Sequence, residues 1–384
     1  MSEHDAVLED APTPSGMSRA GRSTEVSTVL DRLMVQLRAR AAAHGTAYEL
    51  LWQQLERTVA GGKHFRGRLV VEAYARLGGV DSLAAARLGA AFELLHAGFL
   101  IHDDLIDHDT IRRGLPNLAA GMRTAAAEVG ADEGAAQHFA DASAVLAGDL
   151  AVALAHRLFA EVDAPAATRA GLSDLLWDTV FVSVAGELDD VAAGHGLWEV
   201  SAEKALSIAA EKTAFYSFQA PLRAAAVLAQ APAEVCEPLD VIGHSLGKAF
   251  QLADDLLGIF APESVTGKSA VSDLREGKAT TLILHARSLP VWPRIRDGVG
   301  RADLDEAGAA VLRRELARSG APEKVGDQAR AELATARQVL ESAAALAPLA
   351  EVVMSVWTMV DRSLDDAAAY VSAVSGGGDE GAED

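Results

Sequence analysis

The stretch "LLHAGFLIHDDLIDHDTIRRG", residues 94–114, sets three carboxylates, Asp103, Asp104 and Asp107, directly behind a run as apolar as a protein core. Apolar residues continue back to Ser82, and a helix over 82–108 capped by Ser82 accounts for them. Such a helix is about 40 Å long and apolar nearly all round until its last turns, which predicts a course through the middle of a helical bundle. Asp103 and Asp107 are four residues apart and share one face, while Asp104 points about 100° away. Buried carboxylates without a cation repel one another and titrate upward. The pair suits Mg2+, a hard cation that keeps waters and shares the rest of its shell with phosphate. The competing reading, a solvated helix end, sits poorly with the flanking "FLIH" and with the arginines of "RRG".

About 150 residues later, "GKAFQLADDLLGIF" (247–260) places Asp254 and Asp255, preceded by Gln251, at the end of another strongly apolar helix. Two acidic ends on helices of like character predict antiparallel neighbours aiming carboxylates at a shared cavity.

The rest of the chain fits an all-α protein. Half of its 384 residues are hydrophobic, only 5% are aromatic, and alanine is abundant, which suits close-packed helices and suits sheets poorly. Helices are expected over 24–44, 46–60, 64–77, 82–108, 136–162, 165–193, 201–229, 233–260, 279–288, 303–318, 322–346 and 348–373, several ending at Gly45, Gly61–Gly62 and Gly78–Gly79. Residues 1–22 and 375–384 are too poor in apolar side chains to order themselves. No long linker divides the segment between them, so 23–374 reads as one domain, a bundle of long, mostly antiparallel helices around a central cavity. The formal charge of −21 argues against a nucleic-acid partner, but not against a diphosphate that reaches acidic protein through metal ions. A single cysteine, Cys236, fits a reducing cytoplasm, and no uncharged apolar stretch of about 18 residues reads as a membrane span.

Cations flank the acidic ends. "GGKHFRG" (61–67) supplies Lys63 and Arg66 at a helix start, where unpaired N–H groups also favour anions. "TIRRGLP" (110–116) supplies Arg112 and Arg113; Lys212 stands in "EKTAFYS", Lys268 in "VTGKS" and Lys278 in "REGKATT". Any one of these alone reads as a solvated surface charge. Together they could hold two diphosphates, one through metals and one directly.

These motifs, in this order and spacing, resemble those of the trans-isoprenyl diphosphate synthase family, over roughly residues 24–373. The resemblance implies an all-helical isoprenoid synthase fold, a homodimer, and Mg2+-dependent condensation of isopentenyl diphosphate with an allylic diphosphate. It implies that Asp103, Asp107 and Asp254 are direct metal ligands, with Asp104 and Asp255 in support, around three ions. Lys63, Arg66, His96 and Arg113 match the isopentenyl diphosphate site. Arg112, Lys212 and Lys268 match contacts to the allylic diphosphate, Thr213 and Gln251 line the reaction centre, and Lys278 lies nearby. His96 stands seven residues before Asp103, hence on the same helical stripe.

Three positions depart from the family pattern. His64 and Gly67 stand where arginine and proline are common, which is expected to loosen that loop. Gly258 stands where an aspartate is frequent in the second acidic motif, so no side-chain contact is expected through that position.

The implied chemistry follows charge development. Cations stabilise the departing diphosphate, the allylic C–O bond ionises, and the isopentenyl double bond attacks the carbocation. A proton then leaves, and the resemblance gives the released diphosphate the part of base. Phe99 lies one turn before Asp103 on the face along which a prenyl chain would grow. With Gly98 beside it and Leu95 a turn deeper, it makes a partial floor, favouring a C20 product over C15 or C25. A class I terpene cyclase also pairs two acidic motifs, but its second motif finds only Ser183 and Glu187 here, with Thr179 and Val180 at the ligand positions. A non-catalytic prenyltransferase subunit would have no need of both acidic pairs and all the main cations.

Overall fold

The computed structural model describes residues 19–266, 271, 274–275 and 277–376. Its longer helices are α1 (Arg19–Ala41), α2 (Thr46–Ala60), α3 (Phe65–Arg76) and α4 (Ser82–Ile106), then α5 (Leu118–Glu128), α6 (Glu133–Ala160), α7 (Ala166–Gly194) and α8 (Ala202–Ala209). After a π-helical segment, Ala210–Gln219, come α9 (Ala220–Leu228), α10 (Ala233–Phe260), α11 (Thr281–Arg287), α12 (Glu306–Ala317), α13 (Ala321–Ser342) and α14 (Ala350–Gly376). The regular extended structure among the described residues is a two-residue pairing, β1 (Ile111–Arg112) with β2 (Leu115–Pro116). The all-α class holds. The expected disordered segments extend to residue 22 and begin at residue 375, whereas α1 starts at Arg19 and α14 runs to Gly376.

The chain divides into two compact units. Among the described residues, one takes in 19–177 and 221–232, and the other takes in 178–220 and the described part of 233–376. In the first unit α4 packs mainly on α6 and crosses α3. From Ala84 to Gly98 nearly every α4 side chain is buried, as its apolar circumference predicts. Asp81, rather than Ser82, caps the helix, its Oδ1 accepting the Ala84 N–H at 2.9 Å.

Glycines set the close approaches. A Cβ on Gly89 would lie 2.7 Å from the Gly67 carbonyl oxygen and 2.9 Å from Gly67 Cα, so α3 and α4 touch backbone to backbone. Gly98 lies against α6, where a Cβ would meet Val152 Cγ2 at 3.0 Å and the Gly148 oxygen at 3.1 Å. In the second unit α10 packs on α13, on α14 and on the π-helical segment.

Three stretches, Ser82–Ile106, Glu133–Ala160 and Ala344–Gly376, are long and apolar enough to cross a membrane by length and composition, where the sequence suggested no such span. In α4, 83% of the apolar window is buried inside the protein, so its hydrophobicity is used internally.

Gly89→Ala should lower unfolding stability by about 1–3 kcal/mol, since the new methyl meets backbone that cannot rotate away. Urea denaturation checks this; an unchanged midpoint would mean that the α3–α4 crossing has slack.

Candidate functional site

In the first unit the acidic end of α4 is shaped by how that helix stops. Asp109 N–H bonds the Asp104 carbonyl at 2.8 Å and His108 N–H bonds the Leu105 carbonyl at 3.4 Å, with His108 left-handed at φ 58°. This is the Schellman arrangement, usually given to glycine. The chain then pairs Ile111 with Pro116 and Arg112 with Leu115 around Arg113–Gly114, whose φ values of 55° and 70° suit a type I′ turn. Asn117 fastens this hairpin. Its Nδ2 donates to the Asp109 carbonyl at 2.6 Å, its N–H donates to the Thr110 carbonyl, and its Oδ1 caps α5 by accepting from Ala120 N–H.

The two arginines of the hairpin reach different places. Arg112 turns back to α4: Nε donates to Asp104 Oδ1 at 2.8 Å, Nη2 also bonds Asp104, and Asp103 and Asp109 lie 3.4 and 3.6 Å from Nη2. Arg113 lies over the Gly61–Gly62 turn. A Cβ on Gly62 would be 3.3 Å from its Nη2, and one on Gly61 closer still to Nη1, so the glycines make room for a guanidinium beside Lys63.

Burial governs the charges here. Asp104 is buried, and that burial pushes its carboxyl up to about 6, against the pull of Arg112 and with Asp103 and Asp109 adding to the rise. Burial disfavours the charged form of Arg112, yet Asp104, then Asp103 and Asp109, together raise it above the ordinary arginine range. Asp103 and Asp107 remain partly exposed. Arg66 and His96 are buried, as is the Lys63 ammonium.

The departures at His64 and Gly67 leave this loop well held, contrary to the expected loosening. His64, left-handed at φ 51°, is buried, with Nδ1 3.0 Å from Ser27 Oγ and Nε2 3.2 Å from the Val59 carbonyl. Gly67 N–H donates to buried Glu93 Oε1 at 2.7 Å, a bond that proline could not make.

The chain-length candidates separate. Leu95 is fully buried and Phe99 half-buried, but the open side of Gly98 is filled by α6, so Gly98 is a helix-packing glycine in this structure.

In the second unit Asp254 and Gln251 are buried on α10, and Gln251 Oε1 has no hydrogen-bond partner among the described residues. Asp255 Oδ2 accepts the Thr281 N–H at 3.2 Å, so it holds the start of α11 where the helix dipole favours an anion. Gly258 is buried within α10. Lys212 and Thr213 lie on the π-helical segment, Thr213 buried and Lys212 Nζ bound to Asp190 at 2.8 Å and Glu187 at 3.1 Å. Lys278 is half-buried, and Lys268 lies outside the described residues.

Among the described residues no three His, Cys, Asp or Glu side chains cluster closely enough to hold a metal ion by themselves. The donor set still fits Mg2+, which takes one or two carboxylates and completes its shell with water and phosphate. From the sequence Glu187 is named only as the nearest match to a cyclase motif, and neither it, Asp190 nor Asp109 is paired there with a cation; the i,i+3 spacing of Glu187 and Asp190 on one helical face is the signal for their pairing with Lys212.

A family model described as polyprenyl synthetase matches residues 48–291. A (2E,6E)-farnesyl diphosphate synthase of Mycobacterium tuberculosis is 34% identical over 259 residues, 65% of each chain, so this chain spans about two thirds of that relative's length. A geranylgeranyl diphosphate synthase of the same organism is 30% identical over 347 residues, 89% of this chain and 92% of that one. In structure the chain is similar to geranylgeranyl pyrophosphate synthase from Corynebacterium glutamicum, solved with isoprenyl diphosphate and magnesium, at TM-score 0.83 and 26% identity, covering 91% of this chain and 99% of that one.

Because Asp104 holds its proton more tightly in the folded than in the unfolded state, its contribution to stability is present below about 3.8 and is lost as pH rises through about 6. Metal-free wild type should therefore lose urea stability relative to Asp104→Asn between pH 4 and 6.5. A constant difference across that range would remove the perturbed carboxyl.

Proposed function

The chain belongs to the polyprenyl synthetase family, and from that premise we propose that it condenses isopentenyl diphosphate head to tail with an allylic prenyl diphosphate, most simply to a C20 product. The hairpin at 111–116 carries this reading: adjacent residues send one guanidinium to the α4 carboxylates and the other to the Gly61–Gly62 turn beside Lys63. A metal-type carboxylate pair and a separate anion site thereby lie on either side of one short turn, as a reaction joining two diphosphate esters requires.

Asp103 and Asp107 on α4 and Asp254 on α10 would hold magnesium, three ions in this reading, with Asp104 and Asp255 steadying the ligands. Magnesium, when bound, supplies positive charge against the diphosphate that leaves. Arg112, Lys212 and Lys268 bind the allylic diphosphate; as its C–O bond breaks, their charge offsets that developing on the departing oxygen. Lys63, Arg66, His96 and Arg113 orient isopentenyl diphosphate so that its double bond meets the allylic carbon. Thr213 and Gln251 line the reaction centre, with Lys278 at its edge. The new C–C bond leaves a cation that loses a proton to the released diphosphate.

Phe99 and Leu95 set the floor beneath the growing chain. The unit of function is 23–374 as one catalytic domain, in a cytoplasmic homodimer. On α7 Trp177, Phe181, Val184 and Leu188 are each more than half exposed and lie on one face, an apolar stripe suited to a second copy. The cyclase reading is less favoured, because Glu187 is engaged with Lys212.

Incubation with Mg2+, isopentenyl diphosphate and each of the C5, C10 and C15 allylic primers should give a C20 diphosphate, and Phe99→Ala should lengthen it. A cyclic hydrocarbon from geranylgeranyl diphosphate alone would replace the reading with the cyclase. An unchanged product from Phe99→Ala would remove Phe99 as the floor.

A further inference from the structure

The π-helical segment Ala210–Gln219 is ten residues of one wide coil, inside a span whose sequence suggests an unbroken α-helix. A π-turn is broader than an α-turn and ordinarily appears as a single bulge. Ten residues of it need room on the facing helices, and the structure shows where that room comes from.

Three glycines touch the segment. A Cβ on Gly186 of α7 would lie 2.3 Å from Lys212 N and 2.8 Å from Lys212 Cα. One on Gly243 of α10 would lie 2.6 Å from Gln219 Cα, and one on Gly247 would lie 2.4 Å from Ala214 Cβ. Gly186 and Gly243 meet backbone, which cannot turn aside. The tightest contact falls on Lys212 itself. One residue and one turn further along α7 stand Glu187 and Asp190, the carboxylates that bind Lys212 Nζ.

We propose that Gly186, with Gly247 and Gly243, is a positioning residue: the missing side chains fix the wide coil against α7 and α10 so that Lys212 and Thr213 are presented at one height. Gly186 acts through Lys212, because the helix that admits the Lys212 backbone also holds its ammonium. The inference rests on the reading that Lys212 binds the allylic diphosphate. A methyl at Gly186 displaces the lysine backbone, and a shift of this size costs a positioned group roughly ten- to hundredfold.

The test compares wild type, Gly186→Ala, Lys212→Ala and the double variant, measuring KM for the allylic diphosphate, KM for isopentenyl diphosphate, kcat and Tm. Gly186→Ala should raise the allylic KM at least about tenfold with the isopentenyl KM unchanged, and should add little to Lys212→Ala, since two changes acting through one group are not additive. If both KM values move alike, or the two changes multiply, Gly186 is only structural and the proposal fails. If wild type transfers no prenyl group, the functional reading has failed instead. Should Gly186→Ala not fold, Gly247→Ala carries the test, because its methyl meets the Ala214 methyl and Ala214→Gly returns the lost space. Restoration of the allylic KM in Gly247→Ala/Ala214→Gly supports the clamp, and no restoration overturns it.

Discussion

A carboxylate taken out of water must find a cation, and the candidate residues of each unit answer that constraint. At the end of α4 the cation is Arg112, drawn against Asp104 with Asp103 and Asp109 close by. On the π-helical segment the relation is reversed, and Lys212 is the cation held by Glu187 and Asp190. Asp104 is buried with its arginine, whereas Lys212 and its two carboxylates keep partial exposure, where solvent moderates the attraction. A chain carrying a charge of −21 thus holds these cations in place with its own carboxylates.

Backbone geometry delivers those cations. Arg113 takes a left-handed conformation in a two-residue turn, and Asn117 ties the turn to both Asp109 and α5. Glycine then permits at Gly186 a contact with the Lys212 backbone that any side chain would prevent, and Gly61 leaves room for the Arg113 guanidinium. The rigidity that positions a charge comes from what is left out as much as from what is bonded.

Much of this was legible in the sequence, for identifiable reasons. The circumference of α4 is so apolar that only a buried helix could carry it, and "DDLID" at its end announced the acidic site. The stretch after it was less legible. Residues 109–135 carry no legible element, yet the hairpin and α5 lie there; the hairpin is hidden because a turn with arginine at a left-handed position lacks the usual Asn-Gly signature. The π-helical segment was hidden as well, since its composition suits an ordinary helix and its cause lies in glycines of α7 and α10 that are distant in sequence. His64 and Gly67 looked like losses by comparison with a family pattern, but Ser27, Val59 and Glu93 supply bonds that no local pattern announces.

The proposed reaction requires Asp103 and Asp254 to bind the same metal–diphosphate group. Binding of Mn2+ in the presence of inorganic pyrophosphate, followed by electron paramagnetic resonance, tests it in wild type, Asp103→Asn, Asp254→Asn and the double variant. One shared site predicts that each single change removes most of the pyrophosphate-dependent Mn2+ binding, and that the double variant is little worse than either. Independent losses, each removing its own fraction of the bound metal and adding in the double variant, would contradict it.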